Sequence, residues 1–249
     1  VTEPKILTID IETKPHEVHA WGLFNQNIAL NQLREPTRMM CWAAKWHGNP
    51  KVEYRSEFHH GREDMLERAW KLLDEADWVV HFNGDAFDLP HLRREFLLAK
   101  LGPPSPAVSI DLLKVARKQF RFASNKLQHL LEQLGIEGKV SHTGHLLWVQ
   151  CMAGDPKAWR LMRKYVIGDV IKEELVYDTF LPWIPNHPHI GLFNPDASDG
   201  CARCGSQSLQ KRGFSYTRQS SFQRFQCNNC HGWSTGTTAV ARVKTKGIA

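Results

Sequence analysis

The chain has 249 residues, 42% of them hydrophobic and 23% charged, the make-up of a globular protein with one good core and room for a second small module. No apolar run reaches the length of a membrane span, and the first residues lead into a strand instead of a secretion signal, so a cytoplasmic protein is expected. The net charge of +6 is uneven: residues 201–249 hold eight Lys and Arg and no Asp or Glu, leaving residues 1–200 at −2, which points the tail towards a polyanion such as nucleic acid.

Leu7 to Thr13 (LTIDIET) reads as an apolar strand carrying two carboxylates. Side chains alternate along a strand, so Asp10 and Glu12 leave one face while Leu7, Ile9 and Ile11 leave the other. Two acids on one face repel. They suit either a site for a hard cation such as magnesium or manganese, or a solvated edge strand. Lys14 to Thr37 has weak periodicity and is long for a loop. Its Trp21, Leu23 and Phe24 could present a wedge to a substrate or fill a core beneath the loop.

Arg38 to His47 and Lys51 to Glu57 read as two strands around the turn Gly48-Asn49-Pro50. Arg62 to Ala76 has helical spacing of apolar residues, and Trp78 to Phe82 is a short β-rich run. Strand, hairpin, helix and strand in this order imply a mixed sheet with a helix packed on it. Asn83, Gly84 and Asp85 then break the strand, and a helix to about Leu101 follows. Asp85 fits the dipole of that helix, whereas Asp88 lies where a strand ends and a helix begins, a usual place for ligands in open α/β sheets.

A short strand, Ala107 to Ile110, ends in Asp111, which reads as the cap of a helix from Leu112 to Gln119. Helical pieces follow at Asn125 to Leu134 and about Thr143 to Met152. His142 and His145 lack an evident third ligand nearby and read as solvated or capping residues. Asp155 caps the next helix, Pro156 suits its first turn, and the apolar pattern runs to about Phe180. Tyr165 and Asp169 are four apart and share a face of it. Gly168 between them costs about 1 kcal/mol relative to Ala, which close packing or an approaching group would explain.

The sets Asp10-Ile11-Glu12, Asn83-x-x-x-Phe87-Asp88 and Tyr165-x-x-x-Asp169, in this order, resemble the three motifs of the DEDD 3′-to-5′ exonucleases, which share the ribonuclease H-like fold. Tyr165 makes the chain similar to the DEDDy branch, which includes the proofreading domains of family A and family B DNA polymerases. The resemblance spans roughly residues 4 to 182 and implies an α/β domain with a mixed sheet flanked by helices. It implies two Mg²⁺ or Mn²⁺ ions, with Asp10 bridging them, Glu12 and Asp169 on the nucleophile side and Asp88 on the other. Tyr165 would orient the attacking water, and the products would be nucleoside 5′-monophosphates. The implied substrate is a single-stranded 3′ end of nucleic acid, DNA favoured; Asn83 and the loop residues Trp21, Leu23 and Phe24 are the candidate contacts on this chain. No polymerase domain follows, so a stand-alone nuclease similar to small bacterial and phage exonucleases with zinc-binding tails is expected. The carboxylates by themselves suit an endonuclease equally, and a nucleic-acid-binding adaptor is the alternative from another class.

Residues 185–200, rich in Pro, Gly, Asn and Asp, read as a linker between an exonuclease domain (1–184) and a tail (201–249). Cys201 and Cys204 pair with Cys227 and Cys230 as two C-x-x-C units, the pattern of a zinc ribbon holding one structural Zn²⁺. His231 is a less favoured replacement ligand. So small a module leans on its metal for stability. Arg212, Phe214, Tyr216 and Arg218 are expected to alternate onto one face, with Phe222 and Arg224 on the returning strand. They suit base stacking and phosphate contact, or else Phe214, Tyr216 and Phe225 pack the ribbon's own core.

Overall fold

In a computed structural model, residues 3–193 and 199–245 are described; residues 194–198 of the expected linker and Lys246 of the basic tail lie outside the described residues. The chain divides into two compact units, Lys5–Val176 and a second built chiefly from Tyr177 onward. Among the described residues no helix is long and apolar enough to cross a membrane.

The first unit is organised on β1 (Ile6–Thr13). After it come β2 (Glu17–Val18), β3 (Leu33–Glu35), β4 (Met39–Trp46), β5 (Val52–Ser56), α1 (Glu57–His60), α2 (Arg62–Glu75), β6 (Trp78–His81) and α3 (Asp88–Leu98). Next are β7 (Val108–Asp111), α4 (Leu112–Gln119), α5 (Leu127–Gln133), α6 (His145–Met152) and α7 (Pro156–Phe180). The main sheet has the order β5-β4-β1-β6-β7. β1 runs antiparallel to β4 and parallel to β6, and β6 is parallel to β7. The expected mixed sheet is therefore present, with β1 at its centre.

Alternation along β1 divides the two helical layers. Leu7, Ile9 and Ile11 are fully buried with Met65, Leu66, Leu72, Leu92 and Phe96 of α2 and α3. The other face of the sheet, represented by Cys41, Ala43 and Tyr54, packs on Trp159, Met162, Val166 and Val170 of α7. Each fully buried aliphatic side chain contributes about 1.5–3 kcal/mol, so Ile9→Ala would cost about 2–5 kcal/mol. Asp10 and Glu12 leave β1 on the second face, towards α7.

The stretch from Lys14 to Thr37 is pinned by local structure. β2 pairs with β3, the buried Lys14 ammonium binds Glu35 and Glu17, and Thr37 Oγ1 donates to the Lys14 carbonyl at 2.6 Å. Trp21, Leu23 and Phe24 are 97%, 92% and 84% exposed, so they do not fill a core under this loop.

Asp85, expected to complement the dipole of α3, is instead paired across the turn. Its carboxylate accepts from Lys114 Nζ at 2.6 Å and Ser109 Oγ at 2.5 Å, because the turn at Asn83, with φ at 69°, directs it towards β7 and α4. Asp111 caps α4 as expected, accepting from the amides of Leu113 and Lys114.

In the second unit, β8 (Leu209–Tyr216), β9 (Ser220–Cys227) and β10 (Trp233–Arg242) form a sheet of order β10-β9-β8. Lys211 opposes Phe225 and Phe214 opposes Gln223, so β8 carries one extra residue, a bulge at Gly213, whose φ is +67°. The bulge breaks the expected alternation. Arg212 shares its face with Arg224 and donates to Gln226 Oε1 at 2.9 Å, while Phe214 and Tyr216 lie on the opposite face. Arg218 lies in the turn after β8 and belongs to neither face. The segment before the ribbon is tied down within this unit: Tyr177 Oη and His187 Nε2 are 2.8 Å apart, and Ile190 N donates to the Ala202 carbonyl at 3.1 Å.

Candidate active site

The acids reach one end of the sheet from three elements. Asp10 and Glu12 are half-buried on β1, and Asp88, 3% exposed, opens α3 directly beyond β6. Asp88 Oδ1 accepts from the amide of Ile11 at 3.1 Å. The second motif is thereby fastened to the backbone between the two acids of the first. Asp169 and Tyr165 come from α7, both nearly fully buried. Glu173, one turn further along α7 and 2% exposed, joins them.

Three further groups hold this set. Lys139 Nζ, from the loop before α6, lies 2.5 Å from Asp169 Oδ2 and 3.4 Å from Tyr165 Oη. Trp148 Nε1 donates to Glu12 Oε2 at 3.2 Å. The His142 ring lies edge-on to Tyr165 at 4.7 Å and to Trp148 at 5.3 Å, and its Nδ1 accepts from the Gly144 amide at 3.0 Å. His142 therefore packs against the site through its ring. Asp111 stands near Asp88 and Glu173, but three amides satisfy its charge, those of Asn83, Leu113 and Lys114.

The electrostatics follow from crowding. Burial, then the neighbouring acids, hold Asp10 and Glu173 well above the usual carboxylate range. Burial, with Asp169 beside it, pushes Glu12 up to about 8 in spite of Lys139 and Trp148. Burial also pushes Asp88 up to about 7, although the Ile11 amide opposes it. Burial and the Asp169 charge raise the Tyr165 phenol, keeping it protonated. For Lys139 burial works against the charge, but Asp169, with Asp10 and Glu173, more than offsets it and the pKa rises.

These groups fit divalent cations. Asp10 Oδ2, Asp169 Oδ1 and Glu173 Oε2 are buried without a hydrogen-bond partner among the described residues, open hard-oxygen donors in a negative field. The acids are spaced more widely than a single-ion cage. Among the described residues the four cysteines form the only group of three or more candidate ligand atoms within 4.8 Å of one another. Asn83 and Lys139 line a cavity of about 520 Å³ with Asp10 and Glu173, edged by Arg117 and Lys126.

In the ribbon, Cys201 and Cys230 bring their Sγ atoms to 3.5 Å and Cys204 and Cys227 to 3.7 Å, all as free thiols. The amides of Arg203 and Asn229 point at Cys201 and Cys227 Sγ, as they do around thiolates. Burial would raise the Cys227 thiol, but amide and thiol hydrogen bonds bring it down to about 7. This is a set suited to zinc, and His231 is not part of it.

The sequence motifs include Asp10, Glu12, Asp88, Tyr165 and Asp169, all of which face this site. Glu173, Lys139, Trp148 and His142 were missed. Glu173 repeats the four-residue step from Tyr165 to Asp169, a signal that was there to read. The other three come from an aperiodic loop and the helix it leads into, with no motif to mark them.

A family model described as the ribonuclease H superfamily matches residues 39–181, more than half of the chain. The chain belongs to the ribonuclease H superfamily. The matched span includes Asp88, Lys139, Tyr165, Asp169 and Glu173; it begins at Met39, the first residue of β4, so Asp10 and Glu12 on β1 lie outside it. The structure of the family B DNA polymerase from the hyperthermophilic archaeon Pyrobaculum calidifontis is similar, with a TM-score of 0.56 at 15% identity over 88% of this chain. At that identity the likeness shows the fold. This ribonuclease H superfamily chain spans only 32% of the polymerase. No curated protein sequence matches it. Membership of the ribonuclease H superfamily supports nuclease activity on nucleic acid, with divalent metal ions as the usual cofactors.

Proposed function

We propose that the chain is a metal-dependent 3′-to-5′ exonuclease acting by a two-metal-ion mechanism, DNA favoured, with the cysteine tail as a zinc ribbon that helps capture the strand. The observation that carries this reading is the meeting of Asp10, Glu12, Asp88 and Asp169 with Tyr165, buried oxygens among them left open for cations. Asp10, Glu12, Asp88 and Asp169 would hold the ions. Divalent ions held there would supply an activated water and would stabilise charge on the attacking and leaving oxygens.

The chain's own groups do the rest. A phenol kept protonated by burial and by its acidic neighbours is a hydrogen-bond donor and not a base, so Tyr165 orients the water. Lys139 fixes Asp169 and Tyr165 together from one ammonium. Trp148 fixes Glu12. Arg117, Lys126 and Asn83 at the cavity rim suit the phosphates of an entering strand. The exposed Trp21, Leu23 and Phe24 suit stacking or wedging against bases.

The test is a time course on 5′-labelled single-stranded DNA and RNA of one sequence, with Mg²⁺ or Mn²⁺, resolved on a sequencing gel. Stepwise shortening from the 3′ end, lost in Asp10→Ala, is expected. Internal cuts from the earliest time would make the chain an endonuclease. No cutting with either metal would leave a nucleic-acid-binding adaptor.

A further inference from the structure

We infer that Glu173 is a fifth carboxylate ligand of the active-site cations, sharing an ion with Asp10; this rests on the nuclease reading above. Glu173 is 2% exposed, one turn past Asp169 on α7, and it lines the same cavity of about 520 Å³ as Asp10. Its Oε2 is buried with no hydrogen-bond partner among the described residues.

A structural role does not account for it. The other deeply buried glutamate of this unit, Glu95, is held by Arg62, Arg94 and the Met39 amide. Glu174, the next residue, is held by Lys45 and the Gly48 amide. Left ionised, a carboxylate with one open oxygen in the interior costs several kcal/mol unless a cation meets it. A folded core alone would be served as well or better by Gln or Leu there.

Charge agrees with this. Asp10, Glu12, Asp88, Asp169 and Glu173 bring five negative charges, the Lys139 ion pair answers one, and Asp111 nearby adds a charge that its neutral amides do not cancel, so the site takes two divalent cations with no positive charge in excess. Hard oxygen donors select Mg²⁺ or Mn²⁺, and a ligand beyond the motif acids would let the chain keep both ions before any substrate phosphate arrives.

The experiment is a Mn²⁺ titration of the full chain, zinc-saturated and free of nucleic acid, followed by the electron paramagnetic resonance of unbound Mn²⁺. Two ions are expected per wild-type chain. Glu173→Gln should weaken one of them by about tenfold or more, while its melting temperature without Mn²⁺ stays equal or rises, since a buried charge is removed. Glu173→Asp, which keeps the charge but draws it back by one methylene, should also weaken one ion, and serves if the Gln variant fails to fold. Wild-type Mn²⁺ binding in both Glu173 variants, with binding lost in Asp10→Ala, would overturn the inference and leave the nuclease reading standing. If the wild-type chain takes up no Mn²⁺ at all, both fall.

Discussion

Asp10, Glu12 and Asp88 carry the largest consequence of single-residue chemistry in this chain, because folding raises their pKa values. Glu12 rises to about 8 and Asp88 to about 7, and Asp10 rises with them, burial being the first cause in each case. Unfolded carboxyls lose their protons near pH 4. Between that pH and about 8 the folded chain therefore binds more protons than the unfolded one, and stability falls as pH rises. In magnesium-free buffer containing zinc, the melting temperature followed by core tryptophan fluorescence should drop from pH 5.5 to 8.5. Mn²⁺ at pH 8.5 should restore it. A flat or rising profile would mean that the acids are not crowded. Tyr165→Phe tests the phenol at the same scale. It removes a positioning hydroxyl and leaves the carboxylates intact, so kcat should fall by about 100-fold with Mn²⁺ affinity unchanged. An alkaline limb in the wild-type rate that disappears in the Phe variant would instead make Tyr165 a base.

At the scale of elements, α7 and the loop before α6 build half of the site, and Gly168 is where they touch. A Cβ at Gly168 would stand 3.3 Å from Val140 Cγ2 and 3.6 Å from Lys172 Nζ. Val140 follows Lys139, so the loop that delivers the lysine rests on the bare helix face. Gly168→Ala should gain up to about 1 kcal/mol of helix propensity and lose a similar amount in displacing Val140. Its melting temperature should change little while kcat falls, because Lys139 moves from Asp169; unchanged kcat would show that the loop adapts. This junction also marks how far the sequence could be read. Period two in β1 and period 3.6 in α7 announce Asp10, Glu12, Tyr165 and Asp169, since a regular element fixes which way each side chain leaves. Lys139 and His142 sit in a loop that follows no period, and their partner Tyr165 lies more than twenty residues away. Asp85 was misplaced because its ion pair with Lys114 reaches across the turn to another element. The alternation expected for β8 failed at one residue, Gly213, since a bulge leaves no trace in a pattern of polar and aromatic side chains.

For the whole molecule the uneven charge decides what drives binding. The first 200 residues are slightly acidic, and the acids of the site add repulsion until cations neutralise them, so long-range attraction to a polyanion must come chiefly from the basic tail. In the ribbon, Arg212 and Arg224 share one face, with the Arg224 guanidinium 5.4 Å over the Trp233 ring, and Trp233 is 45% exposed. An arginine stacked on an open indole is a surface for both a phosphate and a base. Each phosphate contact on a single strand contributes about 0.7 to the slope of log affinity against log salt. Arg212→Ala with Arg224→Ala in the full chain should therefore lower that slope by about 1.4 and weaken binding, while kcat at saturating strand is kept. Removing zinc should reach the same end by another route, since a module of fewer than fifty residues loses its fold with its metal. Strand binding should weaken on chelation and return with Zn²⁺ but not with Mg²⁺. A salt slope untouched by both treatments would assign the tail to some purpose other than holding nucleic acid, and would move the attraction to Arg117 and Lys126 at the rim of the site.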